Sequence, residues 1–365
     1  MLGGYGDGME PLVEPAPALS AARRRLGSRT AALRGVGEPG LRRLAATRVL
    51  VVGAGGLGAP VVALLAGSGL ARLTVVDPDV VDASNLARQT LFTSEDVGAP
   101  KAGVAAARAR LVDPELDVRA DVTALDADNA AELVAGHDVV VDAADGVAVT
   151  RAVSDACADA GIPFVWGSAL ATDGQVAVFW DAAPSGAVDF HDLHPDPFLD
   201  DGSCAVDGVL PALCTVVGGV MAAQVVALVT GVGEPLLGRV LTVDAATWTF
   251  VESALRRGPT SRRPPRLQAV PAAPRLSPAG LEARLASGAP LAVVDVRTDA
   301  ERADGVIAGS VTPAELPDGV PVVVYCARGP RADAWALGAG AGRDVQVLDG
   351  GVAAWIREDR PLVTP

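Results

Sequence analysis

The sequence predicts an α/β protein, with a mostly parallel sheet covered on both faces and a second, smaller α/β domain behind it. Three observations predict this. From Arg48 to about Trp166, short β-branched runs alternate with Ala- and Leu-rich stretches of helical length, and such alternation gives parallel sheets flanked by helices. The glycine turn Gly53-Ala54-Gly55-Gly56-Leu57-Gly58 directly follows the first run. A Pro- and Arg-rich segment, 257–277, then reads as a linker between a first domain (25–256) and a C-terminal one (278–365).

The elements follow in order. RVLVVG (48–53) is a short buried strand that ends in the glycine turn, and RLTVVD (72–77) is a second strand ending in Asp. A helix near 100–112 leads to DVRADV (117–122), then DVVVDAAD (138–145), a helix to about Ala160, and IPFVWG (162–167). After Ala171 the pattern changes to the period-two strand GQVAVFWD, a polar loop over 183–207, a long apolar helix and two strands near 238–252. The C-terminal domain repeats the first style with PLAVVDVR (290–297), PVVVYCARGPR (321–331) and VQVLDGG (345–351).

The formal charge of -14 argues against nucleic acid or an anionic membrane as partner. Four cysteines without a C-x-x-C pair argue against a disulfide framework, so reduced thiols and the cytoplasm are expected. Residues 1–24 are acidic, rich in Gly and Pro, and lack the basic start and apolar stretch of a secretion signal; they read as a disordered tail. Leu210–Thr230 is long enough to span a bilayer. Its Pro211, Gly218, Gly219 and Gln224, and the absence of flanking Lys or Arg, favour a buried core helix instead.

The glycine turn opens a helix, so backbone N–H groups can approach a phosphate at the positive helix end. Asp77 ends the next strand, where a carboxylate can bond a ribose hydroxyl. NAD enzymes and several ATP enzymes share this much. Three further features favour ATP: Asp79 with the run Ser84-Asn85-Leu86-Ala87-Arg88-Gln89, Lys101 at the start of the next helix, and Asp145 at a later strand end. Arg88 and Lys101 suit a polyphosphate, and Asp145 suits a magnesium ion.

Together, GAGGLG, VVDPDVVDASNLARQ, PK and VVDAADG resemble the ThiF/MoeB family, adenylyltransferases for ubiquitin-like sulfur carriers and relatives of the ubiquitin-activating enzymes. The resemblance runs from about Ser28 to about Val251. It implies a Rossmann-like adenylation domain in which Gly53, Gly55, Gly56 and Gly58 face the phosphates of ATP and Asp77 faces the ribose. It places Asn85, Arg88 and Lys101 on the phosphates, with Asp79, Ser84 and Gln89 in the same pocket and Asp145 on Mg2+. Arg29 stands where the family carries an arginine that reaches into the partner subunit's site, which implies a homodimer. Gly146 replaces a usual asparagine and Leu41 a usual glutamine. In this chemistry the carrier's ionised carboxylate attacks the α-phosphorus and pyrophosphate leaves, so fixed cations matter and no general base is needed. His137, His191 and His194 need not be catalytic.

Cys204, in Gly202-Ser203-Cys204-Ala205, stands where the family often has a conjugating cysteine; the other reading is an idle exposed thiol. Cys157 and Cys214 fall among apolar helix residues and read as core. Family members that bind structural zinc use two C-x-x-C pairs, and neither is present. His191-Asp192-Leu193-His194 cannot close a tetrahedral site alone, so structural zinc is not expected and the histidines read as solvated loop residues.

In the C-terminal domain Cys326-Ala327-Arg328-Gly329-Pro330-Arg331 follows a strand and leads into a helix, where backbone N–H groups stabilise a thiolate or persulfide. With VVDVRTDAERADGVIAGSV upstream and LDGGVAAW downstream, the region from about 275 to 365 resembles a rhodanese sulfurtransferase, although Val306 replaces a usual histidine. Cysteine phosphatases place five residues between cysteine and arginine; here there are four, a loop sized for sulfur. The resemblance implies a persulfide on Cys326 supported by Arg331. The expected whole is a fused adenylyltransferase and sulfurtransferase. It would act on a carrier ending in Gly-Gly and draw sulfur from a cysteine desulfurase or thiosulfate, with Cys204 assisting. The alternative is a non-adenylating sulfur relay or scaffold; an NAD oxidoreductase ranks third.

Overall fold

The structure, a computed structural model, describes residues 9–195, 208–258, 273–317, 319–327, 329–340 and 342–364. They fall into two compact units, one on either side of 259–272.

The strands of the first unit are β1 (Arg48–Val52), β2 (Arg72–Val76), β3 (Asp117–Asp121), β4 (Val139–Asp142), β5 (Phe164–Leu170), β6 (Asp173–Phe179), β7 (Arg239–Asp244) and β8 (Thr249–Ala254). They form one sheet in the order β3-β2-β1-β4-β5-β6-β7-β8, parallel through β5 and antiparallel from β6 onward. Its helices are α1 (Ala21–Leu26), α2 (Ser28–Ala31), α3 (Gly37–Leu44), α4 (Gly58–Ala66), α5 (Lys101–Val112), α6 (Ala130–Val134), α7 (Val147–Ala160), α8 (Phe190–Leu193) and α9 (Pro211–Thr230). Central strands such as β1 and β4 are buried on both faces, which is why their sequence is a continuous aliphatic run. Val49, Val51, Leu65, Leu73 and Met221 pack one face of the sheet; Leu50, Val52, Val153, Phe164 and Phe190 pack the other.

α9 is the one helix among the described residues long and apolar enough to cross a membrane, and in this fold half of it is buried. Small residues seat it. A Cβ added at Gly218 would lie 2.5 Å from Pro60 Cγ and 2.8 Å from the Leu57 carbonyl, so α9 crosses α4 at backbone distance. Gly174 gives way in the same manner to Val217, with a Cβ–Cγ2 distance of 2.7 Å. Pro211 opens the helix where no N–H is needed, and Gly231 closes it at φ 70°.

The second unit has strands β9 (Arg275–Leu276), β10 (Ala292–Asp295), β11 (Ser310–Val311), β12 (Val322–Tyr325) and β13 (Val345–Leu348). Their order is β11-β10-β12-β13-β9, all parallel. Its helices are α10 (Pro278–Ser287), α11 (Asp299–Ala303), α12 (Pro330–Leu337) and α13 (Gly351–Arg357).

Three expectations change. Residues 9–24 are not a disordered tail: Leu12 N–H donates to the Leu228 carbonyl (3.1 Å), Ala16 N–H to the Arg42 carbonyl (2.8 Å), and Leu19 is buried. The segment meets a carbonyl that the C-terminal turn of α9 cannot satisfy itself. The polar stretch 183–207 includes α8, fixed by the reciprocal capping of Asp189 and Asp192. The linker ends earlier than 277, because β9 pairs with β13 through Val347↔Arg275 and Leu348↔Leu276.

Candidate active sites

Gly53 turns the chain out of β1 at φ 88° and donates to the Val76 carbonyl at 2.8 Å. A Cβ at Gly53 would sit 2.7 Å from the Ala143 carbonyl oxygen, and one at Gly58 would sit 1.9 Å from that of Gly53. These two glycines therefore seat the turn in the crevice between β1 and β4, where the strand order reverses and where such sheets bind ligands. Gly55 is the more open of the other two glycines, while Gly56 abuts the buried Cys214 of α9. The nearest atom to a Cβ on Gly55 is Gln89 Nε2 at 3.7 Å, while one on Gly56 would meet Cys214 Sγ at 3.1 Å and Arg88 Cδ at 3.6 Å. Gln89 is buried, and its Oε1 has no hydrogen-bond partner.

Asp77 is also buried. Its two oxygens accept the N–H groups of Ala54 (2.7 Å) and Asp79 (2.8 Å), so the carboxylate pins the glycine turn to the end of β2. Burial pushes this carboxyl above its ordinary range, although the backbone donors pull the other way. A ribose contact would use the lone pairs left over. Lys101 Nζ donates to Asp79 Oδ2 at 2.8 Å, and Lys101 N–H bonds the Asp79 carbonyl at 2.9 Å. The ammonium of the first residue of α5 is thus already paired with the Asp79 carboxylate, at a helix end whose dipole also favours an anion.

Asn85 ends a short 3-10 turn (Ala83–Asn85) capped by Asp82, whose side chain accepts Ser84 N–H at 2.7 Å. The Asn85 carbonyl accepts the N–H groups of Arg88 (3.1 Å) and Gln89 (2.9 Å), which aims both side chains at the glycine turn. Asp145 is exposed two residues beyond Ala143, the residue that backs Gly53. Loops after β1, β2 and β4 thus gather the predicted nucleotide residues at one sheet edge. Arg29 is exposed on α2. Leu41 is buried beneath Gly27, a core position that explains an aliphatic residue there. Cys204 lies outside the described residues.

One buried carboxyl was not singled out from the sequence. Asp142 ends β4 wholly buried; its Oδ1 accepts Ala144 N–H at 3.1 Å, and its Oδ2 has no partner. Burial raises its pKa from 3.8 to about 6. Between those values the folded state holds a proton that the unfolded chain has lost, so this group lowers stability as pH rises through the interval. Relative to the native protein, Asp142→Asn should gain up to about 3 kcal/mol between pH 4 and pH 7, measured as the difference in unfolding free energy at the two pH values. An unchanged difference would contradict the burial argument.

His191 and His194 are not solvated loop residues. His191 is buried on α8 with Nδ1 2.8 Å from Arg151 Nη1 and Nε2 3.0 Å from Asp155 Oδ1, so both ring nitrogens are engaged. His194 packs against Phe190 and Trp166, and burial lowers its pKa. Arg257 bonds Asp181 and lies 3.7 Å from Asp189 and 3.4 Å from Asp192. Charge pairs, not free ligands, fill this corner. Among the described residues no group of three or more His, Cys, Asp and Glu is placed to hold a metal.

In the second unit Cys326 follows β12 and is buried, with Sγ accepting Gly329 N–H at 3.0 Å. The Cys326 and Ala327 carbonyls accept the N–H groups of Val352 and Ala353, both at 3.0 Å, which ties the loop to α13. Arg331, on α12, forks onto Glu301 of α11 at 2.9 and 2.6 Å. That guanidinium holds the Glu301 carboxyl down at about 2. Arg275 bonds Asp333 at 3.0 Å, close beside Gly329. Val306 is buried and exchanges two backbone bonds with Val363, both 2.8 Å, a position that needs no histidine. Glu301 was missed. Its local signal is the capping box Thr298–Glu301, which says nothing of a partner thirty residues away.

Sequence profiles match both units: the ThiF family over residues 27–262 and the rhodanese-like domain over 277–358. The chain belongs to the ThiF family and carries a rhodanese-like domain, an adenylyltransferase joined to a sulfurtransferase. It is 37% identical over 383 residues to the probable adenylyltransferase/sulfurtransferase MoeZ of Mycobacterium tuberculosis, covering 97% of this chain and 98% of that one. It is 42% identical over 228 residues to the sulfur carrier protein adenylyltransferase of Thermus thermophilus, covering 61% of this chain and 84% of the relative. Among solved structures, Escherichia coli MccB with ATP shares the fold at a TM-score of 0.57 and 19% identity, covering 67% of this chain and 74% of that one.

Proposed function

We propose that the first domain adenylates the C-terminal carboxylate of a ubiquitin-like sulfur carrier ending in Gly-Gly, and that Cys326 delivers the sulfur. The observation that carries this is that Arg88 and Gln89 lie against the glycine turn, which Asp77 pins to the end of β2, while Lys101 is held by Asp79 two residues beyond Asp77. A carrier carboxylate oxygen attacks the α-phosphorus, and the bond to the bridging oxygen breaks as pyrophosphate departs. Lys101 and Arg88 stabilise the charge that grows on the phosphoryl oxygens. The unpartnered Gln89 Oε1 is an acceptor for a nucleotide hydroxyl or amine.

Magnesium fits Asp145, since this ion takes one or two carboxylates and fills its shell with phosphate oxygens and water; bound there, it would neutralise phosphate charge. The exposed Arg29 supports a homodimer in which it serves the partner subunit. The terminal sulfur of a Cys326 persulfide then attacks the acyl-adenylate and AMP leaves. The thiolate of a second cysteine, for which Cys204 is this chain's candidate, attacks the Cys326 sulfur of the resulting acyl disulfide; a Cys204–Cys326 disulfide forms, the thiocarboxylate leaves, and a small thiol reductant reopens the disulfide for the next turnover. The persulfide itself comes from a cysteine desulfurase or thiosulfate. Buried Cys157, Cys214 and Cys326, none of them in a disulfide, support a reducing, cytoplasmic setting, and the acidic chain supports protein rather than nucleic-acid or membrane partners. The test is ATP–pyrophosphate exchange with a carrier ending in Gly-Gly. Exchange that needs the carrier supports the proposal, and none with any carrier leaves a sulfur relay.

A further inference from the structure

The surroundings of the sulfur loop point to a donor preference, given the reading that Cys326 carries the persulfide. A guanidinium at such a loop would grip a small oxyanion donor. Here the Arg331 guanidinium is already forked onto Glu301 through two short bonds. Glu301 is held from its other side by Thr298, whose N–H and Oγ1 both bond Oε2 at 2.8 and 2.7 Å, so it does not swing away without losing a helix cap. Arg275, the other arginine described beside Gly329, is matched by Asp333. Each of these two described arginines therefore already faces a carboxylate, which a small oxyanion would have to displace.

We infer that Glu301 is a positioning residue for donor specificity: by occupying Arg331 it disfavours small oxyanion donors such as thiosulfate and favours alkyl persulfides. With thiosulfate, the Cys326 thiolate attacks the outer sulfur, the S–S bond breaks, and sulfite leaves with the electron pair. With an alkyl persulfide the same attack expels an alkyl thiolate, and no sulfonate group needs a cation. Glu301 stays ionised throughout the usual assay range, so the discrimination is independent of pH there.

The experiment uses the full-length protein, thiosulfate or glutathione persulfide as donor, and cyanide as acceptor. Glu301→Gln keeps an oxygen for the Thr298 cap but releases the charge-assisted fork. Its thiosulfate KM should fall by about tenfold or more with kcat little changed, raising the thiosulfate-to-persulfide selectivity by a similar factor. Adding Arg331→Ala to Glu301→Gln should erase that gain. An unchanged thiosulfate KM in Glu301→Gln, or a gain that survives loss of Arg331, would overturn the inference. Residual transfer after Cys326→Ala would instead undo the persulfide reading beneath it.

Discussion

Replacing Lys101 with Ala is expected to reduce carrier-dependent ATP–pyrophosphate exchange by about 10²–10³-fold, the usual cost of losing one preorganised group that stabilises transition-state charge. The side chain does little for the fold. It is buried at the start of α5, and its partner Asp79 is 66% exposed, so the pair contributes at most about 1 kcal/mol to stability. A melting curve near that of the native protein would therefore accompany the lost exchange. Lys101→Arg should not restore it, because a planar fork does not reproduce a compact ammonium between Asp79 and the helix end. On the proposal that Arg88 serves the same phosphates, the effects of Arg88→Ala and Lys101→Ala should not add. Exchange at the native rate in Lys101→Ala would show that the triphosphate lies elsewhere.

Replacing Cys326 should have the opposite selectivity. Cys326→Ser is expected to abolish transfer from either donor, a loss of at least about a thousandfold since the nucleophile is gone. Serine keeps an acceptor for Gly329 N–H, which in Cys326→Ala would be left without one at a cost of about 1–3 kcal/mol. Exchange should remain within about twofold of the native rate, because the glycine turn and Lys101 belong to the other unit. Thiocarboxylate on the carrier, read by mass spectrometry, should vanish. Loss of exchange together with transfer would mean that one site serves both reactions.

Much of this architecture was legible because buried parallel strands are written as unbroken aliphatic runs. RVLVV and VVVD admit few other readings once a glycine turn follows the first. Part of the predicted nucleotide set was read from the same pattern: Gly53, Asp77 and Asp145 lie just beyond the ends of β1, β2 and β4, and the topology gathers those ends. What stayed hidden depends on partners remote in sequence. Residues 9–19 have no periodicity of their own and are ordered by bonds to α9 and α3. β9 has only two residues, so nothing in its sequence announces a strand until β13 is beside it. His191-x-x-His194 looked solvated because Asp and Pro surround it, yet Asp189 and Asp192 cap a helix that buries the first ring. The Glu301–Arg331 fork joins two helices, and local pattern could supply only the cap.

The Arg257 cluster has a consequence for how the protein responds to its medium. Asp189 and Asp192 are nearly withdrawn from solvent, while Arg257 is about two-fifths exposed, so one end of the join is open to mobile ions. The join is loosened by concentrated salt, so its grip follows ionic strength.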